Sequence, residues 1–138
     1  MAVKDIRSHA QSNVALSANV TTDTTTNGAI LDTANFDLGL MFTLMASEYT
    51  DGTYDVTIEH GNDAALADAA ALSSDNLIGT LANMQLTAVS ASGAKLKTIG
   101  VFGNKRYVRF NIVSTAVTTG ANLQVIATQI AELQAVAD

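Results

Sequence analysis

Cysteine is absent from the 138-residue chain, which excludes disulfide frameworks, thiolate metal sites and thiol catalysis. Tryptophan and proline are absent too, aromatic residues make up 5%, and there are two histidines, His9 and His60. The side-chain sets of most familiar catalytic and ligand-stacking sites are therefore thin. Charged residues are scarce at 14%, against about a quarter in an average domain. No apolar run approaches the roughly 18 residues of a membrane span, and the longest, residues 38–46, has the length of a strand. The leading segment Met1-Ala2-Val3-Lys4-Asp5-Ile6-Arg7 carries charge where a signal peptide needs its apolar core, so export is not expected.

What is present points to strands. Apolar residues reach 48%, and Thr, Ser, Asn and Gln supply the polarity that charge does not. The length argues for a single domain over residues 1–138, large enough to bury about 70% of its unfolded surface without a metal or disulfide staple. Residues 1–13 read as an extended N-terminal arm and residues 131–138 as a loose tail. In the arm, Val3 and Ile6 stand among Lys4 and Arg7, a pattern that fits equally a frayed terminus and a segment adding onto a neighbouring subunit's sheet edge or lying over its surface.

Thirteen acidic against seven basic residues give a net charge of −6, which disfavours nucleic-acid binding because phosphate neutralisation needs a basic surface. The charge is also segregated. No Lys or Arg lies between Ser8 and Ala94, ten acids run from Asp23 to Asp75, and five bases then follow at Lys95, Lys97, Lys105, Arg106 and Arg109. One reading pairs these segments across a sheet. The other makes a basic face that meets an acidic partner, since complementary fields direct association. The two are compatible.

Short segments separated by turn residues fill the chain. Residues 14–20, 29–31, 38–46, 77–81 and 84–89 read as strands, with Leu38, Leu40, Phe42 and Leu44 sharing a face. Asn27-Gly28 and Asp51-Gly52 read as tight turns. Residues 54–60 alternate with period two, Tyr54, Val56, Ile58 and His60 against Asp55, Thr57 and Glu59. Residues 61–74 are Ala-rich and read as an ordered loop or a helical turn capped by Asn62 or Asp63. Residues 97–102 and 106–115 look like a hairpin closed by Gly103-Asn104. Residues 121–137 fit either a helical stripe (Leu123, Ile126, Ala127, Ile130, Leu133) or a strand face (Gln124, Ile126, Thr128, Ile130). Context favours a final strand over 122–130. About eight short strands spaced by about ten residues predict an all-β fold, an antiparallel β-sandwich or barrel, with a jelly-roll-like sandwich as one arrangement that protects its sheet edges.

No catalytic constellation stands out. Glu59, His60 and Asp63 cluster in sequence, but adjacent strand residues point to opposite faces, and a hydrogen-bonded strand-end histidine is the commoner case. The run Asp51-Gly52-Thr53-Tyr54-Asp55 has the look of a calcium loop but lacks the closing Glu at the right offset. Nothing singles out a glycosidase pair among thirteen acids. Ser90-Ala91-Ser92-Gly93 lacks the leading Gly of a nucleophile elbow, and the glycines of residues 100–104 frame a turn rather than a phosphate loop. The expectation is a protein that is not an enzyme and needs no cofactor.

The run from Thr98 to Phe110, TIGVFGNKRYVRF, resembles a hairpin common in small structural proteins of tailed bacteriophages. Residues 30–36 and 51–60 look like earlier strands of the same group in matching order, so the similarity spans roughly residues 28–115. The group it most resembles is the capsid cement, or decoration, proteins of short-tailed phages. That resemblance implies a virion protein, synthesised in the host bacterial cytoplasm, which binds and cross-links major capsid protein subunits on the outside of the head. Absence of Cys suits a reducing cytoplasm. A homodimer is expected because twofold pairing is the commonest closed arrangement. Val3, Ile6, Arg7, Lys105, Arg106 and Arg109 are the candidate partner-interface residues; no membrane or nucleic-acid partner is expected. The competing readings are a host-surface or glycan-binding module, which requires Tyr49, Tyr54 and Tyr107 in one groove, and another phage head or tail component.

Overall fold

The computed structural model describes residues 10–34, 39–87, 95–103 and 105–130. These form β1 (Ala10–Val20), β2 (Thr24–Asp32), β3 (Gly39–Ser47), β4 (Thr53–Gly61), β5 (Ala70–Ala71), β6 (Leu77–Ile78), one helical turn α1 (Leu81–Met84), β7 (Lys95–Val101), β8 (Tyr107–Thr115) and β9 (Ala121–Ile130). Period-two patterning explains the long strands. Along β4, Tyr54, Val56, Ile58 and His60 are buried, whereas Asp55, Thr57 and Glu59 between them are not.

The strands make two antiparallel sheets, ordered β1-β9-β3-β7-β6 and β2-β8-β4-β5. Setting aside the two-residue strands β5 and β6, each successive strand lies in the opposite sheet. This is a jelly-roll path, one of the antiparallel arrangements the strand spacing allowed. The inner faces meet in one apolar core, where the Phe42 ring of β3 lies 5.0 Å from the Phe110 ring of β8. Both rings are fully buried. All four sheet edges are blunted against edge-to-edge pairing. β1 shifts register between Val14 and Leu16, β2 shifts between Asn27 and Ile30, and β5 and β6 are very short.

Several local expectations are corrected. The 97–102 and 106–115 segments are strands but not a hairpin, because β7 pairs with β3 and β6 while β8 pairs with β2 and β4. The chain crosses between sheets there, so Ile99 and Val101 enter the core from one side and Val108 and Phe110 from the other. Asn27-Gly28 is not a turn but lies in the β2 bulge, and the chain reverses over residues 21–23 instead. Gly28 serves close packing, since a Cβ there would sit 2.4 Å from the Phe110 carbonyl oxygen and 2.6 Å from that of Ala15.

The expected 77–81 strand stops at Ile78, where Gly79 turns the chain with φ +105°. Residues expected to begin the 84–89 strand instead close α1, because Thr80 caps that turn by accepting a hydrogen bond from the Asn83 N–H. Leu86 then makes a single bridge to Tyr54. The 61–74 segment is an ordered loop carrying β5. In β9 the strand reading holds, with Leu123, Val125 and Ala127 inward. The face formed by Gln124, Ile126, Thr128 and Ile130 is the outward one. Residues 10–13, the end of the expected arm, pair with Ala127–Ile130 inside β1. The tail at 131–138 lies outside the described residues.

Candidate interaction surfaces

Four surfaces of this sandwich differ in chemistry. At one end the β2–β3, β4–β5 and β7–β8 connections converge on Arg106. Its carbonyl accepts hydrogen bonds from the Thr33 N–H (2.9 Å) and Thr33 Oγ1 (2.7 Å), and its own N–H donates to Asn62 Oδ1 (3.3 Å). The guanidinium makes a two-pronged pair with Asp32 at 2.9 and 2.8 Å, and lies 5.1 Å from the Tyr107 ring centre. That pair holds the Asp32 carboxyl down to about 2, helped by the Ala34 N–H. Because both partners are about half exposed (54% and 47%), water screens the pair and it adds little stability.

Lys105 lies beside it and belongs to neither of the two ion pairs among the described residues. Its charge adds to burial in pushing His60 below the usual imidazole range, against a weaker pull from Asp68. Asp68 accepts from the Asn62 and Asp63 N–H groups at 2.9 and 3.0 Å, which folds the β4–β5 loop back beneath Lys105. A cleft of about 430 Å³ opens between Asn62, Lys105 and Arg106 and an apolar floor of Leu40, Val101 and Val108.

The outer face of the four-stranded sheet carries charge. Arg109 and Glu59 are register partners, and Arg109 Nε and Nη2 donate to Glu59 Oε2 at 3.0 and 2.7 Å. Arg109 and then Asn111 hold the Glu59 carboxyl below its ordinary value. Asp55 accepts from Gln85 on the same face, at 2.6 Å. Pairing between the acidic and basic segments, expected from the charge distribution, is thus present at Asp32–Arg106 and Glu59–Arg109.

The outer face of the five-stranded sheet is the opposite. Cross-strand partners of an antiparallel sheet share a face, so the register defines rows. One runs Ala10, Ile130 and Gly39; the next Ser12, Thr128, Met41, Gly100 and Ile78; the next Val14, Ile126, Thr43 and Thr98; the next Ser17, Gln124, Met45 and Leu96; the last Asn19, Asn122 and Ser47. No row contains a charged residue, although at the end of the last row the Asn122 amide donates to the Glu48 carboxylate. Leu96 is 68% exposed, Ile78 60% and Val14 58%. A shallow groove of about 290 Å³ runs over Gly39 and Gly100 between Met41, Ile78, Phe102 and Ile130.

At the far end, the carboxylate of Asp51 gathers the β8–β9 loop. It accepts from the N–H groups of Thr118 (3.0 Å), Thr119 (2.9 Å) and Gly120 (2.9 Å), and from the Thr118 hydroxyl. The Thr118 hydroxyl first, and these N–H groups, hold the Asp51 carboxyl down to about 2. Tyr54 donates its hydroxyl to the Asp51 carbonyl at 2.9 Å, and burial, with the Asp51 charge, pushes that phenol up to about 12.

A pH dependence follows. A carboxyl depressed in the folded state stabilises it fully above the unfolded value near 4, and that contribution fades as pH falls through the folded value. Asp51 therefore weakens the fold between about pH 4 and 2, and Asp32, whose pair is screened by water, adds a smaller loss in the same window. His60 acts in the same direction from about pH 6.5 downward, because its folded value is lowered. Thermal melts from pH 7 to 2.5 should show a midpoint that falls with acidification and drops steepest below pH 4; Asp51→Asn should flatten that step. A melting midpoint that does not change with pH would contradict both carboxylate assignments.

The chemistry-bearing residues singled out in the sequence do not assemble. Glu59 faces outward to Arg109, His60 faces the interior and Asp63 caps its own loop by accepting from the Ala65 N–H. Among the described residues no group of three His, Asp or Glu is placed to hold a metal ion. The calcium-like run at Asp51 is spent on the β8–β9 loop. Tyr49 and Tyr54 pack together at 6.0 Å at the Asp51 end, and Tyr107 lies at the other end. Of the candidate interface residues, Lys105 and Arg106 share the loop end and Arg109 lies on the charged face, while Val3, Ile6 and Arg7, like His9, fall outside the described residues.

The uncharged face and the Asp51 hub were not among the candidates. The alternation of Met41, Thr43 and Met45 with buried Leu40, Phe42 and Leu44 was the available signal for the face. Among the described residues, no helix is long and apolar enough to cross a membrane. The fold and surfaces define an all-β jelly-roll sandwich with one charged and one uncharged outer face. Compared with protein-family models, curated proteins and solved structures, the chain has no match.

Proposed function

We propose that the protein is a non-enzymatic structural component of a tailed-phage virion, which binds and cross-links major capsid protein subunits on the outside of the head. The observation that carries this reading is the loop end. On an acidic protein, Lys105 and Arg106 stand side by side at the rim of a cleft, and the Arg106 backbone is tied to two other loops. With the Arg106 guanidinium held by Asp32, Lys105 is the rim cation outside the two ion pairs among the described residues, and it suits an acidic group on a partner whose field would orient the approach. The phage-like run at 98–110 includes both residues. Repetition of a modest contact over many copies would then reinforce a shell without any single tight site.

Arg109 is a poor probe, because its reversal would set two carboxylates against each other beside a partly buried Glu59. Lys105→Glu combined with Arg106→Gln is the informative variant. It is expected to lower occupancy on purified heads at least tenfold and to leave the far-UV spectrum of the free protein unchanged. Undiminished occupancy would sink the assignment of this end.

A further inference from the structure

The geometry points to a second copy of this chain as the occupant of the uncharged face, packed sheet against sheet across a twofold axis. Charge selects the face. Two copies each carrying −6 repel, and the face with no charged residue in any row is where they can meet at least electrostatic cost. Blunted edges leave edge-to-edge pairing disfavoured, so the broad face remains.

Area agrees. Four strands about 4.8 Å apart and about 30 Å long give a flat footprint of roughly 600 Å². Side-chain relief brings the accessible area near the ~800 Å² per partner of a standard stable interface.

The rows are also complementary to themselves. Consider an axis in the interface plane, perpendicular to the strands, over the row Val14, Ile126, Thr43 and Thr98. It exchanges the two flanking rows, so that residues two places either side of the central one face each other. Leu96, the most exposed of the large apolar residues, falls over Gly100, which has no side chain and lies in the groove beside Ile78. Met45 then meets Met41, the Gln124 amide meets the Thr128 hydroxyl, and Ser17 meets Ser12. Large faces small, apolar faces apolar, and donors face acceptors, as an isologous interface requires.

This inference does not depend on the capsid reading, and its test uses the free protein. Thr98 lies near the axis and so faces its own copy. Sedimentation velocity over ~1–100 µM, a range that detects micromolar association, is expected to show a dimer for the unaltered chain and monomers for Thr98→Glu and for Thr98→Lys. Mixing those two variants is expected to restore dimer, which mere misfolding would not do. A monomeric unaltered chain at the top of that range would overturn the proposal. So would a dimer that Thr98→Glu leaves intact, or a Thr98→Glu variant that loses only its binding to heads, which would assign the face to the shell.

Discussion

Gly120→Ala is expected to destabilise the protein by about 3 kcal/mol or more, enough to leave much of it unfolded if the parent is of ordinary stability. Two effects add. Gly120 has φ +101°, where an L side chain is strained, and a Cβ there would lie 1.7 Å from the Val20 carbonyl oxygen. That oxygen is backbone at the end of β1, facing the start of β9, and cannot swing aside as a flexible side chain would. Nor can the loop retreat, since Asp51 holds the Thr118, Thr119 and Gly120 N–H groups together. Gly103→Ala is the control. Its nearest contact would be 3.4 Å, so it should change stability by no more than about 0.5 kcal/mol. Urea unfolding of both variants decides the matter. Equal midpoints would mean that the loop adapts and that the Asp51 hub is not rigid.

Phe110→Ala should cost about 3–5 kcal/mol, the usual range for a buried phenylalanine. The ring is fully buried on β8 and stacks at a tilt on Phe42 of β3, so it is one of the contacts through which the two sheets adhere. Ile112 and Tyr54 pack in the same core without exposed surface to relax into. Phe110→Leu keeps most of the volume and should lose much less, about 1–2 kcal/mol. The prediction concerns the urea midpoint at constant slope, which separates lost stability from a changed unfolded state. A loss below about 1 kcal/mol for the alanine variant would show that the sheets do not close on this residue.

The interaction surfaces were legible to different degrees. Lys105 and Arg106 stood out because cations cluster in a chain that is otherwise acidic, and both lie at the loop end. The Asp32 and Glu59 partners were legible only as a class, acidic segments opposite basic ones, since which acid meets which base is set by register. The uncharged face was not seen. Its residues come from five strands scattered between Ser12 and Ile130, and no single stretch reveals that the outward positions of all of them lack charge.

Alternation along 54–60 and 106–115 was enough to establish strands and their inward residues, and the run of short strands a sandwich or barrel, because a two-residue period is a local consequence of the pleat. Pairing is not local. Gly103 looked like a hairpin turn and Asn27-Gly28 like another, yet one joins strands of different sheets and the other relieves a bulge. Turn chemistry allows a reversal without saying whether the strand that follows lies beside its predecessor or across the core. That choice falls to how two apolar faces can cover each other with every edge satisfied, a property of the assembled sandwich.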